Sequence, residues 1–374
     1  MKTNWPTKKL EEIAEVIMGQ SPPSSSYNER GEGLPFFQGK AEFGEIYPTP
    51  IKYCSSPNRI AEANDILISV RAPVGNINIA REKSCIGRGL GALRARKNIL
   101  NQMFLFYFMK KNENNWSRLS TGSTFSAIKG SILKNYKIPL PPLNIQKQIV
   151  ERLDKIAEAQ KLNDGLIQKS DELFQSLFYN EYEAKSNQWS SKKLEGVCEK
   201  IEQVQPKKIF EKEFSYIDIA SIDEERVIRA QITSVGKAPS RARKVVKTGD
   251  TIFSTVRPYL KHIAYIPGML NNSIASTGFC VIRPNPDLAD PLFINYIVES
   301  DHFVKKVLPF QRGANYPAVS DKNVYGIKVS LPPLKIQKQI AAKLSAAQDY
   351  KTQLLAQKSK LKELFDSALS KSFK

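Results

Sequence analysis

The sequence is poor in the residues that build covalent or metal-held scaffolds. Four cysteines, Cys54, Cys85, Cys198 and Cys280, are scattered without a CxxC pair, and two histidines, His262 and His302, cannot furnish the usual zinc spacings. A disulfide miniature and a zinc module are thereby excluded, and the thiols read as reduced and mostly buried, as expected in the cytoplasm. Long apolar runs are missing as well. The longest, residues 103–109, falls far short of the ~18–20 residues that span a bilayer. Residues 1–12 are charged and lack the apolar segment of a signal peptide, so neither secretion nor a membrane anchor is expected. Acid is the third shortage: 37 Asp and Glu face 56 Lys and Arg, a formal +19. That imbalance points to an acidic partner, with plain solubility as the alternative. What is present is substance for real cores, 41% hydrophobic residues in 374, enough for two or three domains at roughly 100–200 residues each.

Catalytic motifs are also wanting. The Pro-Pro pairs at Leu140–Leu143, Leu331–Leu334 and Ser21–Ser24 lack the aromatic ring that an adenine N6-methyltransferase stacks on its flipped base. Gly87-Arg-Gly-Leu-Gly91 fits a GxGxG only loosely and reads as a β-turn or bulge. Gly33 to Lys40 has the wrong spacing for a phosphate-cradling loop. The histidines sit in one half of the chain without a nucleophile motif, and Pro286-Asp287 lacks the nearby acid-x-Lys of a metal-dependent nuclease. The chain reads as non-catalytic, with no cofactor and no metal expected on it. An enzyme with a dispersed active site is the disfavoured alternative.

The strongest positive signal is a self-match. Leu140-Pro-Pro-Leu-Asn-Ile-Gln-Lys-Gln-Ile149 recurs as Leu331-Pro-Pro-Leu-Lys-Ile-Gln-Lys-Gln-Ile340, and the register holds through Glu172-Leu-Phe174 and Glu363-Leu-Phe365. The start repeats too, Trp5 with Lys8-Lys-Leu-Glu11 against Trp189 with Lys192-Lys-Leu-Glu195. A weaker echo sets Asp65-Ile-Leu-Ile-Ser-Val-Arg71 beside Asp250-Thr-Ile-Phe-Ser-Thr-Val-Arg257. The chain is two copies of one unit.

Each copy reads as a globular segment followed by a long helix. The Pro-Pro pairs mark helix starts, because proline is tolerated only in the first turn. Apolar residues then recur at helical spacing, through Ile145, Ile149, Leu153, Ile156, Leu162, Leu166, Leu173 and Leu177 in one copy, and through Ile336, Ile340, Leu344, Leu354, Leu361, Leu364 and Leu369 in the other. Two such helices satisfy both stripes by packing side by side as a coiled coil; ordinary core helices in separate domains are the alternative. The expected layout is 1–140 globular, 141–185 helix, 186–331 globular and 332–374 helix, a mixed α/β (α+β) architecture. Strands are expected around 66–70, 77–80, 251–256 and 279–282, and helices over 98–111 and 292–306. Residues 1–140 carry 20 basic against 11 acidic side chains and residues 186–331 carry 21 against 15, while 141–185 carry 6 against 8. The basic character therefore lies mainly on the globular segments. Basic surfaces interleaved with Tyr, Asn, Gln and Ser suit duplex nucleic acid, where phosphates supply affinity and polar side chains read base edges.

This tandem of α/β unit plus Pro-Pro-Leu-x-x-Gln-x-x-Ile helix resembles the specificity subunits of type I restriction–modification systems. The Trp-x-x-x-x-Leu entry, the Asp-Ile-Leu-Ile-Ser-Val-Arg strand and the loop Gly122-Ser-Thr-Phe-Ser-Ala-Ile128 share in the likeness, which covers nearly the whole chain. The resemblance implies two target recognition domains, each reading half of a split, asymmetric DNA site. It implies an antiparallel coiled coil that sets their separation and docks two modification subunits carrying S-adenosylmethionine, with restriction subunits supplying an ATP-driven translocase and nuclease. Two repeats joined by helices permit a pseudo-twofold relation that offers like docking surfaces to identical partners. On this reading the candidate DNA contacts are Gln38, Lys40, Arg71, Ser123, Thr124, Ser126 and Lys129 in the first half, and Tyr216, Arg257, Arg312, Asn315, Tyr316 and Lys322 in the second. Arg71 and Arg257 are expected at the ends of matched strands. The candidate partner contacts are Leu140, Pro141, Gln146, Ile149, Leu331, Pro332, Gln337 and Ile340. Ordinary loop caps are the alternative for the tips. For the whole chain, the alternative is a basic coiled-coil adaptor that binds RNA or acidic proteins without reading sequence.

Overall fold

A computed structural model describes residues 5–120, 127–222 and 228–373. The chain divides into two compact units, 1–165 with 356–374, and 166–355. Each unit therefore takes the beginning of one long helix and the end of the other.

In the first unit, strand Thr7–Lys9 pairs antiparallel with Lys137–Pro139 beside the helix start. A four-stranded antiparallel sheet runs in the order Ala14–Met18, Leu90–Ala95, Ile66–Ser69, Ile77–Ile79. A five-stranded sheet runs Tyr27–Asn28, Lys52–Cys54, Leu34–Phe37, Ser84–Ile86, Ile60–Ala61, with one parallel pair, Leu34–Phe37 on Ser84–Ile86. The second unit repeats the plan. Ser190–Lys193 pairs with Lys328–Leu331; three strands run Ile263–Tyr265, Thr251–Ser254, Phe279–Ile282; four run Gln231–Ser234, Glu213–Ile217, Ile274–Ser276, Ala242–Val245. Its parallel pair, Glu213–Ile217 on Ile274–Ser276, falls at the same place.

The strand expected at 279–282 appears with those bounds, and the other three end a residue or two early, at Ser69, Ile79 and Ser254. The helix expected over 98–111 begins at Gln102, because Asn101 accepts from the N–H groups of Met103 and Phe104 and caps it there. The helix expected over 292–306 is two, Pro291–Glu299 and Asp301–Val307, broken where Ser300 caps the second. The long helices run Leu143–Glu181 and Leu334–Lys371, 39 and 38 residues, roughly 58 Å at 1.5 Å per residue. Both start on the Pro-Pro pair, Gln146 N–H donating to Pro142 O and Gln337 N–H to Pro333 O.

Within each unit the two helices run antiparallel. In the second unit Glu181 meets Lys343 and Asp171 meets Lys351, both at 2.6 Å, so residues descend on one helix as they ascend on the other. In the first unit Asp164 pairs with Lys358 at 2.8 Å. The seam differs from the leucine stripe read in the sequence. Leu162, Leu166 and Leu173 are exposed, as is Leu364, whereas Asn163 and Ser170 are buried. Which residues face inward is set by the partner helix and the globular core beneath, and leucine spacing alone did not report it. Val150, Leu153 and Ile156 join Ala368, Phe365 and Leu369 in the first unit's core. Phe178, Tyr182, Ile340 and Leu344 join the second's. Among the described residues no helix is long and apolar enough to cross a membrane.

Candidate nucleic-acid interface

In the second unit, strand Thr251–Ser254 leaves the sheet into a loop bracketed by two residues in the left-handed region, Arg257 at φ 48° and Lys261 at φ 53°. Such backbone is uncommon for long side chains and persists where the surroundings enforce it. Here the Arg257 N–H donates to Pro317 O at 2.8 Å, fastening this loop to a second one. That second loop is closed by a reciprocal pair of 2.9 Å bonds between Arg312 and Ala318, with Gly313 at φ 94° making the turn. The Arg257 guanidinium lies 5.1 Å from the centre of the Tyr316 ring and donates to Asn315 O at 3.4 Å. Arg257, Arg312, Asn315 and Tyr316 are thus brought to one tip. Lys322 is exposed on the short helix Asp321–Tyr325 that follows, beyond its Ser320 cap.

Tyr216 does not join them. It is 4% exposed and packs with Phe214, Ala242 and Ile274. Register explains this: Tyr216 sits opposite Ile274 in the parallel pair as Phe36 sits opposite Cys85, so it holds a core aromatic position. Two residues on, Asp218 stands where the first unit has Gln38. Its carboxylate accepts from Ile219 N–H at 2.7 Å and lies 3.8 Å from Arg241. The sequence sets Phe36-Phe-Gln38 beside Tyr216-Ile-Asp218, and the parallel pairs keep that alignment; what sequence reasoning missed was Asp218 itself, since it chose Tyr216 as the contact.

In the first unit Gln38 and Lys40 are exposed just past strand Leu34–Phe37. The glycine cluster exists to let that segment approach. A Cβ on Gly89 would lie 2.2 Å from Gln38 O, and Gly87 N–H donates to Phe37 O at 2.8 Å. Between them Arg88 is exposed, a basic neighbour of Gln38 that the sequence did not single out. Arg71 is exposed and bridges Ala127, and Lys129 is exposed at the start of helix Gly130–Asn135. Ser123, Thr124 and Ser126 lie outside the described residues. Arg71 and Arg257 are not equivalent as the sequence echo implied. Ala127 pairs with Arg71, but Ala318 pairs with Val256, so Arg257 lies one step further out.

The frame beneath both tips is the same. Val70 N–H donates to Gly89 O and Thr255 N–H to Gly278 O, both at 2.8 Å; Ile128 N–H reaches Val70 O and Val319 N–H reaches Thr255 O, both at 2.9 Å. Each unit also has a cleft beside its short helix. One is lined by Arg59, Gly130 and Lys134, the other by Lys244, Asp321, Lys322, Cys198 and Tyr325. Lys244, nearly buried, pairs with Asp321 and donates to Phe279 O at 2.6 Å. Burial pushes the Cys198 thiol up to about 12.

The motif residues of the helix starts are turned inward. Gln146, fully buried, accepts from Asn101 N–H and donates to Pro141 O and Ile99 O; Gln337, 1% exposed, accepts from Asp290 N–H and donates to Pro332 O and Leu288 O. Ile340 and Leu331 belong to the second unit's core, and Leu140 and Ile149 pack against the first's. Pro141 and Pro332 are buried. These side chains clamp the helix to its own unit, and their polar atoms are used there. Among the described residues no cluster of His, Cys, Asp or Glu could hold a metal ion.

A family model, the type I restriction modification DNA specificity domain, matches twice, over residues 2–169 and 186–363. The chain belongs to that family. A protein of Methanocaldococcus jannaschii provisionally named the type I restriction enzyme MjaX specificity subunit is 46% identical to this specificity-family chain over 172 residues. That match takes in 45% of this chain and 40% of the relative, so less than half of the relative's length is accounted for. The MjaVIII specificity subunit of the same organism is 22% identical over 98% of this chain and 91% of its own. The crystal structure of the type I restriction–modification S subunit from M. genitalium superposes with a TM-score of 0.62 at 18% identity, over 100% of this chain and 97% of that one. It shares the specificity-family fold.

Proposed function

We propose that this chain is the non-catalytic, DNA-reading subunit of a type I restriction–modification complex, each unit contacting one half of a split, asymmetric duplex site. The observation that carries this reading is the twofold family match laid over two units with one frame and different exposed tips. Gln38 in one stands where Asp218 stands in the other, and Gln suits adenine while Asp accepts from cytosine. Lys40, Arg71, Arg88 and Lys129 serve the first half-site. Arg257, Arg312, Asn315, Tyr316 and Lys322 serve the second, and the loop residues Ser123, Thr124 and Ser126, outside the described residues, belong with the first.

The long helices set the spacing of the half-sites and dock two modification subunits that bind S-adenosylmethionine and methylate adenine at N6; restriction subunits complete the complex in the cytoplasm. Exposed helix residues that recur in both copies support the docking. Leu173 and Leu364 are 48% and 47% exposed, and each follows an exposed glutamate, Glu172 and Glu363. Identical partners need identical surfaces, whereas two different half-sites do not. The helix-start residues Leu140, Pro141, Gln146, Ile149, Leu331, Pro332, Gln337 and Ile340 act here by holding those surfaces in place.

Mapping N6-methyladenine in DNA exposed to the assembled complex tests the reading. A single bipartite motif is expected, and gel shifts with the modification subunit should prefer it. Binding indifferent to sequence would instead favour a basic coiled-coil adaptor for RNA or acidic proteins. Matched one-turn insertions in both helices, about 5.4 Å of added length, should change the spacer and leave both half-sites as they were; an unchanged spacer removes that role from the helices.

A further inference from the structure

We propose that Tyr316 is a stacking wedge: its ring, backed by the Arg257 guanidinium, enters the base stack of the second half-site where the base to be modified leaves the helix. The proposal rests on the DNA-reading function above and adds a task that base readout does not require.

Three observations converge on it. Tyr316 is 72% exposed, more than the other exposed aromatics of the described residues, such as Tyr179 at 56% and Tyr259 at 49%. A ring left this far in water has a large apolar face ready for another surface. Second, it is held firmly: the reciprocal Arg312–Ala318 bonds close its loop, and Arg257 is fixed through Pro317 O, in backbone that an arginine rarely adopts. Third, the guanidinium on the ring brings a cation to the same point, suited to the phosphates that flank an opened step. A side chain meant only to read a base edge would be a hydrogen-bonding group without the exposed ring.

The chemistry supplies the need. A methyltransferase reaches the amino group of an adenine only after extruding the base from the stack, which leaves a gap whose neighbours have lost a stacking partner. Aromatic rings stack on bases of any sequence, and side chains that enter a base step hold the duplex open. The sequence repeats the arrangement in its first half, where Phe125 follows Gly122 by three positions as Tyr316 follows Gly313. Phe125 lies outside the described residues, and the proposal is made for Tyr316.

The test replaces the methylatable adenine of each half-site in turn with 2-aminopurine, whose fluorescence rises when it leaves the stack. It is read at saturating concentration of the full complex. The unaltered complex should raise fluorescence at both half-sites. Tyr316→Ala should return one half-site toward the free duplex and leave the other bright, while Tyr316→Phe, which keeps the ring, should preserve both. The bright half-site reports that the variant has folded and bound. Fluorescence unchanged by Tyr316→Ala, an equal loss at both half-sites, or no rise with the unaltered complex overturns the wedge. An unaltered complex that prefers no bipartite site refutes the DNA-reading function instead.

Discussion

Arg283 grips Asp250 with two parallel bonds, Nε to Oδ1 at 2.8 Å and Nη2 to Oδ2 at 2.7 Å, and the carboxylate is 1% exposed. Arg94 grips Asp65 in the same way in the first unit, at 2.9 and 2.7 Å. Each aspartate immediately precedes the strand that leads to Arg257 or Arg71 in its unit and also accepts a backbone N–H, from Lys247 and Glu62 respectively. The carboxylate at its side holds the Arg283 guanidinium above its ordinary range. Removing one partner strands a buried charge, a loss of about 3–5 kcal/mol. Arg283→Met is therefore expected to lower the denaturant midpoint markedly, with a smaller loss for the paired change Arg283→Met with Asp250→Leu. Equal losses for the single and double variants would deny the pair its role.

Gln337 offers a second measurement. Replacing it with Ala leaves the Asp290 N–H and two carbonyls without their partner inside the unit, at about 1–3 kcal/mol for a buried group left unpaired. Gln337→Glu should be the worse change, since it keeps the acceptor but points oxygen at the carbonyls of Pro332 and Leu288. Thermal melts of the two variants check the order.

Alkaline stability follows from the thiols. Burial pushes Cys198 up to about 12, and burial together with neighbouring Cys54 pushes Cys85 up to about 12, from an ordinary value of 9.0. A folded value raised above the unfolded one means that between these limits the unfolded chain has lost a proton the folded chain retains. Stability is then fully present below pH 9 and falls as pH climbs toward 12. Denaturant midpoints should drop across that window, and Cys198→Ser should flatten the slope.

The cross-helix ion pairs predict a modest effect. Lys351–Asp171 and Lys343–Glu181 sit at the surface, where such pairs contribute about 0.2–1 kcal/mol and are screened by salt. Asp171→Lys should destabilise slightly at low salt and be rescued by Lys351→Asp. A double-mutant cycle at two salt concentrations measures the coupling, which should shrink in the higher one.

Much of this was legible in the sequence because a repeat of about half the chain declares architecture directly. The helix starts at Pro141–Pro142 and Pro332–Pro333, and the paired units, followed from it. Side-chain facing was harder. Asn163 and Ser170 are buried while Leu162, Leu166 and Leu173 are not, because the globular core beneath the helices chooses the seam. Tyr216 looked like a reader because it is polar-tipped and early in its unit, but a pairing register across 58 residues placed it in the core. One inserted residue was enough to misalign Arg71 with Arg257. The tip at Arg257, Arg312, Asn315 and Tyr316 was found as a set of residues, and its stacked geometry was not foreseeable from spacing.

The bonds that seat each tip, Val319 to Thr255 and Thr255 to Gly278 in one unit, Ile128 to Val70 and Val70 to Gly89 in the other, all run from backbone to backbone. They constrain side chains only where space is tight or a hydroxyl helps: Gly89 has no room for a Cβ, and the Thr255 hydroxyl adds its own bond to Gly278 O at 2.9 Å. Side chains beyond the seat, such as Arg71, Arg257 and Tyr316, can therefore differ between the two units while the backbone frame beneath them stays the same.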